Sequence, residues 1–460
     1  MKLNKIAFAL TLSSLLVGCA NLDDSFQATE QNFQQYEAIS KQYQVNENWW
    51  DLYQDPQLDR LVKLALENNK DLAKAAISVN TALYNANLLG ADLVPTFSGT
   101  IGSSVEKNLN IGSSEIKHKG ALSVSYTLDL WRRLADAANA AEWTHAATVE
   151  DLAATRLSLI NSVITSYYQI AYLKDAIKVT EQTIKYYNQI NDVMQNKWRQ
   201  GVADRASSDQ AQQSVLTARN TLISYQTQLK TAEQTLRNLL NLKPNEPLNV
   251  IYPNILNVKL AGVNLDVPVS AIANRPDVKG YEYRLRSAFK DAKATQKSWF
   301  PSITLGGTLS SSGNKVDNAF NTPIAGGTVS ISLPFLSWNT VKWNVKISEA
   351  AYETAKVNFE QSITTALNEI DTNYYSYSQS LQNFANLQKK YDYDKRISQY
   401  YKNRYDAGVS ELSDWLSAIN TEKTSELSIL NAKYSLIQNE NAVYSAMGGY
   451  YSPYQLVVQK

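Results

Sequence analysis

The chain has 460 residues, with 44 Lys+Arg against 43 Asp+Glu and a net charge of +1. That balance gives no electrostatic reason to expect nucleic acid or a strongly acidic partner. Only 17 Gly and 11 Pro punctuate the length, which points to long uninterrupted elements instead of two or three ordinary domains.

The first segment reads as a targeting sequence. Lys2 and Lys5 form a positive start and Ile6 to Val17 a short apolar run, too short to span a bilayer as a helix but sufficient for a signal peptide. It ends in Leu16-Val17-Gly18-Cys19, and Cys19 is the single cysteine. This ending resembles the lipobox of bacterial lipoproteins. The resemblance implies a signal over residues 1–18, cleavage before Cys19 and lipid attachment at its thiol. It also implies outer-membrane sorting, because Ala20 follows the cysteine where an aspartate often marks inner-membrane retention. The plainer alternative is a small buried cysteine after an ordinary signal. One cysteine forms no internal disulfide, and no later apolar run reaches the ~18 residues of a transmembrane helix. Residues 19–56 are expected to form a lipidated periplasmic segment.

The rest of the chain repeats itself. Asn69-Lys70-Asp71-Leu72 matches Arg275-Pro276-Asp277-Val278, and Pro95-Thr96-Phe97 matches Pro301-Ser302-Ile303, both 206 residues on. Val124-Ser125-Tyr126 before Trp131 matches Ile331-Ser332-Leu333 before Trp338, Gly201-Val202 matches Gly408-Val409, and Leu239-Leu240-Asn241 falls on Ala446-Met447-Gly448, all 207 residues on. Five ordered matches are a tandem duplication. The first repeat is placed at 57–250 and the second at 269–449, with a connector at 251–268 and a C-terminal tail at 450–460.

Within each repeat a helical stretch comes first, at 57–90 and 269–298, followed by a strand pair at 95–131 and 301–337. A very long helix then leads to the turn at Gly201 or Gly408, and a returning helix follows. From Arg132 to Gln200 there are 69 residues without Gly or Pro, and from Ser337 to Ala407 there are 71. Each would reach about 100 Å as one helix. Val163, Ile170, Ile177 and Ile184 recur every seven residues, a coiled-coil seam. Helices of this length must pack lengthwise on each other or on further subunits.

The strands alternate apolar with small or polar residues, as in Ser123-Val124-Ser125-Tyr126-Thr127-Leu128 and Val329-Ser330-Ile331-Ser332-Leu333, and Ile303, Leu305 and Leu309 share one face. A barrel between lipid and water requires this period, although a half-buried soluble sheet alternates identically. Trp131, Trp299 and Trp338 would lie at one end of the hairpins, as an interfacial belt would. The loops near 107–116 and 312–324 are rich in Asn, Ser and Gly. Four strands per chain cannot close a barrel, and open edges are not tolerated in lipid. Two chains would give a filled eight-stranded barrel, so three, giving twelve strands, form the smallest assembly with an open pore.

The chain is similar to the TolC-like outer-membrane efflux proteins, particularly their lipoprotein branch. The likeness runs through Trp49-Trp50, Asp55-Pro56-Gln57-Leu58, Ala65-Leu66-Glu67-Asn68-Asn69, Leu128-Asp129-Leu130-Trp131-Arg132, Arg275-Pro276-Asp277-Val278, Phe300-Pro301-Ser302-Ile303, Leu333-Pro334-Phe335 and Met447-Gly448-Gly449. Arg132 and Asn339 stand where the family often has glycine, and Asn241 where Leu-Gly would close the first repeat, departures that bear on local turn geometry. The resemblance implies a mainly α fold with a membrane β-barrel. A homotrimer would join a twelve-stranded barrel to a long periplasmic helical barrel. It implies an outer-membrane channel with a large periplasmic extension, served by a periplasmic adaptor protein and an inner-membrane transporter of RND or ABC type. Such a channel would export drugs or other substrates; a type I secretion conduit for a protein toxin is the alternative.

The family resemblance also implies site residues. Asp414, six residues after Gly408, matches an aspartate that rings the closed aperture, where like charges would repel anions. The plainer reading is a carboxylate favouring a helix N-terminus. The family's second aspartate is Ser417 here. Tyr405 matches a tyrosine that latches the closed state, against a background of 28 tyrosines that mostly pack. Asp204 and Asp209 flank the first-repeat turn. Arg275-Pro276-Asp277 reads structurally, since proline suits a first helical turn and aspartate its dipole.

Enzymatic readings lack parts. His118 and His145 have no metal-ligand spacing with Cys or carboxylates, and there is no phosphate loop or nucleophile elbow. No cofactor, metal or nucleic acid is expected. Outside the channel class, a lipid-anchored periplasmic coiled-coil tether would share the anchor and long helices but would not need two amphipathic hairpins.

Overall fold

The structure, a computed structural model, describes residues 3–107, 110, 112 and 114–453, with side chains between residues 22 and 451. Met1, Lys2, the side chain of the expected lipid site Cys19, part of the first hairpin loop and residues 454–460 of the expected tail lie outside the described residues. The chain divides into two units. Unit 1 comprises Met1–Gln35, Ala75–Leu152 and Asp277–Ile363; unit 2 comprises Tyr36–Lys74, Ala153–Pro276 and Thr364–Lys460.

The helices are α1 (Leu3–Ser40), α2 (Pro56–Asn68), α3 (Lys70–Gly90), α4 (Arg133–Arg199), α5 (Arg205–Leu239), α6 (Pro276–Gln296), α7 (Trp338–Asp406) and α8 (Leu412–Met447). The strands are β1 (Tyr43–Asn46), β2 (Thr96–Lys107), β3 (Ser114–Leu128), β4 (Ser302–Gly313), β5 (Ile324–Ser332) and β6 (Tyr450–Pro453).

The expected helix over 57–90 is broken at Asn69. Its backbone is extended, and its side chain accepts the N–H groups of Asp71 and Leu72 at 3.0 Å. An asparagine at such a position ends one helix and caps the next. Asp55 does the same for α2, accepting from Gln57 and Leu58, with Pro56 at the first helical position. The expected helix from 269 starts only at Pro276, where the pyrrolidine ring suits a first turn and not an interior.

Asn69 and Arg275 are repeat equivalents, and they do equivalent work. The Asn69 amide donates to the Leu239 carbonyl at the end of α5, and the Arg275 guanidinium donates to the Ala446 carbonyl at the end of α8. Each satisfies an acceptor that a helix end leaves without a partner. Arg275 also pairs with Glu369 at 2.7 Å. The Arg-Pro-Asp run is structural, as its residue types suggest.

In unit 2 the core gathers Trp49, Leu58, Leu61, Val62, Ile160, Ile164, Tyr167, Ile170, Leu173, Leu236 and Tyr444. The Trp49 indole donates to Asn441 at 2.8 Å. The seven-residue seam is only half right. Val163 and Ile170 are buried, but Ile177 and Ile184 are only half-buried. From Ala176 the buried positions run Thr180, Thr183, Tyr187, Ile190 and Met194, the alternating three-four spacing of a packed helix face. Two threonines hide it from a hydrophobic reading. Their hydroxyls donate to the Ala176 and Val179 carbonyls at 2.7 and 2.8 Å, so they bury without an unmet donor.

Unit 2 also holds a two-stranded antiparallel sheet of β1 and β6, with Val45 opposite Tyr451. The stretch expected as a C-terminal tail therefore begins with a strand.

Unit 1 contains one antiparallel sheet in the order β2-β3-β4-β5. Its register sorts the residues onto two faces. Leu122 pairs with Leu309, Tyr126 with Leu305 and Leu128 with Ile303; Phe97 lies opposite Val124, and Ile331 opposite Ile303. The other face carries Thr100, Ser123, Ser125, Thr127, Thr304, Thr308, Ser330 and Thr328, with Thr127 and Thr304 hydroxyls 3.1 Å apart. The apolar face is exposed in this chain: Ile101 is 86% and Phe97 82% accessible. A soluble half-buried sheet would cover that face, because each such side chain is stabilised by ~1.5–3 kcal/mol on burial.

Candidate functional site

Two places carry the residues singled out above: the helical turns in unit 2 and the strand ends in unit 1. At the turns, α4 and α7 end identically. Gly201 has φ 71° and Gly408 φ 72°. Val202 N–H donates to the Lys197 carbonyl at 2.8 Å, and Val409 N–H to the Arg404 carbonyl at 3.0 Å. This closure needs a left-handed residue, which costs an L-residue roughly 1–2 kcal/mol. The far ends of the returning helices close the same way, with Leu242 N–H on the Arg237 carbonyl and Gly449 N–H on that of Tyr444, both 2.8 Å. Asn241 takes the left-handed place that Gly448 fills in the second repeat, at φ 55°. Arg132 likewise adopts φ 60°. The missing glycines are thus replaced in kind at 132 and 241, whereas Asn339 lies inside α7 and needs no glycine.

Beyond the turns the repeats part. Asp204 caps α5, accepting the Ser207 N–H at 2.7 Å, and that bond holds its carboxyl below the usual range. The equivalent Glu411 makes no such cap on α8. Asp414, equivalent to Ser207, lies exposed in the first turn of α8, as does Ser417 one turn later. A negative charge there favours the helix N-terminus. Asp209 is exposed and 3.6 Å from Arg205.

Tyr405 is not one of the packing tyrosines at large; it sits in a layered cluster. Its ring stacks on Trp415 at 5.1 Å. Lys197 Nζ lies 5.0 Å from its ring centroid and donates to its hydroxyl at 2.9 Å. Lys402 Nζ lies 5.7 Å from the Trp415 ring and pairs with Asp406 at 2.7 Å. Beneath are Tyr187, Ile190, Met194, Val215, Leu412 and Ile419. The cluster joins the end of α4 to the α7 and α8 turn, so it ties one repeat's turn to the other's. Sequence reasoning found Tyr405 but not Lys197, Trp415 or Lys402. The three lie on α4, α8 and α7, so no local pattern joins them. The Trp415 indole N–H is buried with no partner among the described residues.

At the strand ends, Trp131, Trp299 and Trp338 all lie at one edge of the sheet, just beyond the end of β3, before the start of β4 and beyond the end of β5. The Trp131 indole donates to the Pro301 carbonyl at 2.8 Å and stacks on Phe300 at 4.7 Å. Trp299 is half-buried. Trp338 is exposed, with Lys342 Nζ 5.9 Å from its ring. Asp129 caps α4 here, accepting from Leu134 and Ala135 at 3.0 and 2.8 Å.

Among the described residues no cluster of His, Cys, Asp or Glu could hold a metal, and no helix is long and apolar enough to cross a membrane.

The model of the family described as "Outer membrane efflux protein" matches the chain twice, over residues 61–242 and 267–449. The chain is 64% identical to the toxin and drug export protein A of Aggregatibacter actinomycetemcomitans, over 98% of this chain and 99% of that one. It is 63% identical to an uncharacterized protein of Haemophilus influenzae over the same shares. Its fold is similar to the outer membrane protein VceC of Vibrio cholerae, with a TM-score of 0.81 at 19% identity, covering 88% of this chain and all of that one.

Proposed function

The chain belongs to the outer membrane efflux protein family, and from that premise we propose that it is the outer-membrane conduit of a tripartite export system, working as a homotrimer. The observation that carries the reading is the exposed apolar face of the four-stranded sheet. Only lipid makes such a face stable, and β2 and β5 end the sheet with unpaired edges that lipid forbids. Closing the sheet with copies of itself removes both edges, and three copies give an open lumen with the Ser/Thr face inward. Trp131, Trp299 and Trp338 then mark the inner membrane–water interface.

The long helices would lie in the periplasm and end at the Gly201 and Gly408 turns. A periplasmic adaptor and an RND- or ABC-type inner-membrane transporter would meet them there and supply the energy. Asp414 would line the closed aperture, and the Tyr405 cluster would hold the tips shut. Cys19 would carry the lipid. The substrates would be drugs, as the name of the Aggregatibacter relative supports; that name equally favours a second reading, export of a protein toxin. Deleting the gene and measuring drug susceptibility together with secreted proteins tests both. Loss of drug resistance alone supports the first, loss of a secreted protein the second, and neither change contradicts the export role.

A further inference from the structure

At the end of the sheet opposite the tryptophans, the loop between β4 and β5 folds back onto the apolar face. A Cβ at Gly120 would come 2.7 Å from the Phe320 ring, and one at Gly313 2.8 Å from the Asn318 carbonyl carbon. Both glycines share the face of Leu122 and Leu309. Asn318 is tied within the loop, accepting the Lys315 N–H at 3.0 Å and donating to Asn314 at 2.8 Å. Phe320 helps to wall a cavity of about 490 Å³ whose other sides include Gly99, Ile101, Leu122, Leu309 and Ser311, within the ~300–1,000 Å³ of small-ligand sites. Ser311 is only 8% exposed and lies on the same face, opposite Gly120. Its hydroxyl is buried with no partner among the described residues. A buried hydroxyl left unmet is destabilising, so an acceptor that enters the cavity is favoured.

Depth and charge narrow the occupant. Gly120 is eight residues from Leu128, the last of β3, about 27 Å along the strand. At a barrel tilt of ~40° that is about 20 Å of depth from the tryptophan end, within an apolar band ~25 Å tall. The cavity therefore lies inside the outer leaflet, near the level of the acyl linkages. The strand residues beyond it are sorted by charge. Glu106 and Glu115 lie on the Ser/Thr face, both paired with Lys117, at 3.1 and 3.4 Å. The apolar face carries Lys107 and His118 there and no acid, which suits a phosphorylated lipid.

We propose that this cavity is a lipid site that takes one acyl chain of lipid A, the phosphorylated anchor of lipopolysaccharide, which fills the outer leaflet of bacterial outer membranes. Ser311 donates to the carbonyl that links the chain to its headgroup. Phe320 walls the chain, and Lys107 is the cation for the phosphate. This rests on the reading that the apolar face meets lipid.

Full-length oligomer purified from outer membranes is delipidated, reloaded with purified lipid A or with phosphatidylethanolamine, and weighed by native mass spectrometry. Wild type should retain lipid A, up to one molecule per subunit, and Ser311→Ala should cut the retained fraction several-fold. Leu122→Trp, which fills the cavity, should abolish retention with the oligomer intact. Equal lipid A retention by wild type and both variants overturns the site. Preferential retention of phosphatidylethanolamine overturns the choice of lipid A. Loss of the oligomer in Leu122→Trp overturns the lipid in favour of a second copy covering the cavity. A wild-type oligomer that conducts but retains no lipid overturns the site and leaves the lipid-facing sheet standing, whereas a soluble wild-type monomer overturns both.

Discussion

Tyr405 offers the sharpest perturbation, because its hydroxyl and its ring do separable things. Tyr405→Phe removes the hydroxyl that accepts from Lys197 and donates to Met194 Sδ at 3.8 Å, leaving the stack on Trp415 in place. A half-buried hydrogen bond of this kind is worth about 1 kcal/mol net. If the cluster favours the closed tips, the open fraction should rise about fivefold for that amount. Tyr405→Ala also removes the stack, at about 1 kcal/mol, and the lysine over the ring, at about 0.5–1 kcal/mol. Together the loss approaches ~3 kcal/mol, on the order of a hundredfold. Single-channel recording in planar bilayers reads this directly as open probability. The graded order wild type, Phe, Ala is the prediction. Equal open probabilities for all three, with the protein still oligomeric, would refute a holding role for the cluster.

Charge, pH and the membrane face can each be perturbed separately. Asp414→Ala should raise conductance or weaken cation selectivity; unchanged currents would reduce Asp414 to a helix-end charge. Glu440 is fully buried and accepts the Gly262 N–H at 2.6 Å, and burial pushes its carboxyl above the usual 4.5. A raised carboxyl contributes stability below its unfolded pKa and loses it as pH rises through the folded one. Glu440→Gln should therefore gain in Tm relative to wild type as pH climbs from about 4.5, and a pH-independent difference would contradict this. Ile101→Arg should cost ~2–4 kcal/mol if that face meets lipid, visible as lost heat resistance of the oligomer, whereas Thr100→Arg on the opposite face should leave it nearly intact. Gly408→Ala should lower stability by roughly 1–2 kcal/mol because of its left-handed backbone, with thermal unfolding as the readout.

Much of the architecture was legible because its signals are local. Strand alternation needs no knowledge of partners, and it put Ile303, Leu305 and Leu309 on one face without any. The Gly201 and Gly408 turns announce themselves because only glycine fits them cheaply. What escaped was carried by polar residues acting in pairs. Asn69 looks like an ordinary helix residue until its side chain is seen capping Asp71 and Leu72. Thr180 and Thr183 disguised the packed face of α4. Lys197 became visible only when Tyr405 and Trp415, more than 200 residues later, were brought beside it. β6 is four residues long and pairs with the other end of the chain, so no local pattern could reveal it. The departures from glycine at 132 and 241 left the turn geometry in place, because Arg and Asn took the left-handed backbone that glycine would adopt more cheaply.

An exposed apolar sheet that closes with copies of itself into a pore makes the protein both oligomeric and conducting. Extraction of the acylated protein from outer membranes, with its oligomer mass and single-channel currents measured on one preparation, tests this most directly. A heat-resistant trimer that conducts is the predicted result. A monomer that stays soluble once Cys19 is replaced, and passes no current, would contradict it and favour the periplasmic tether.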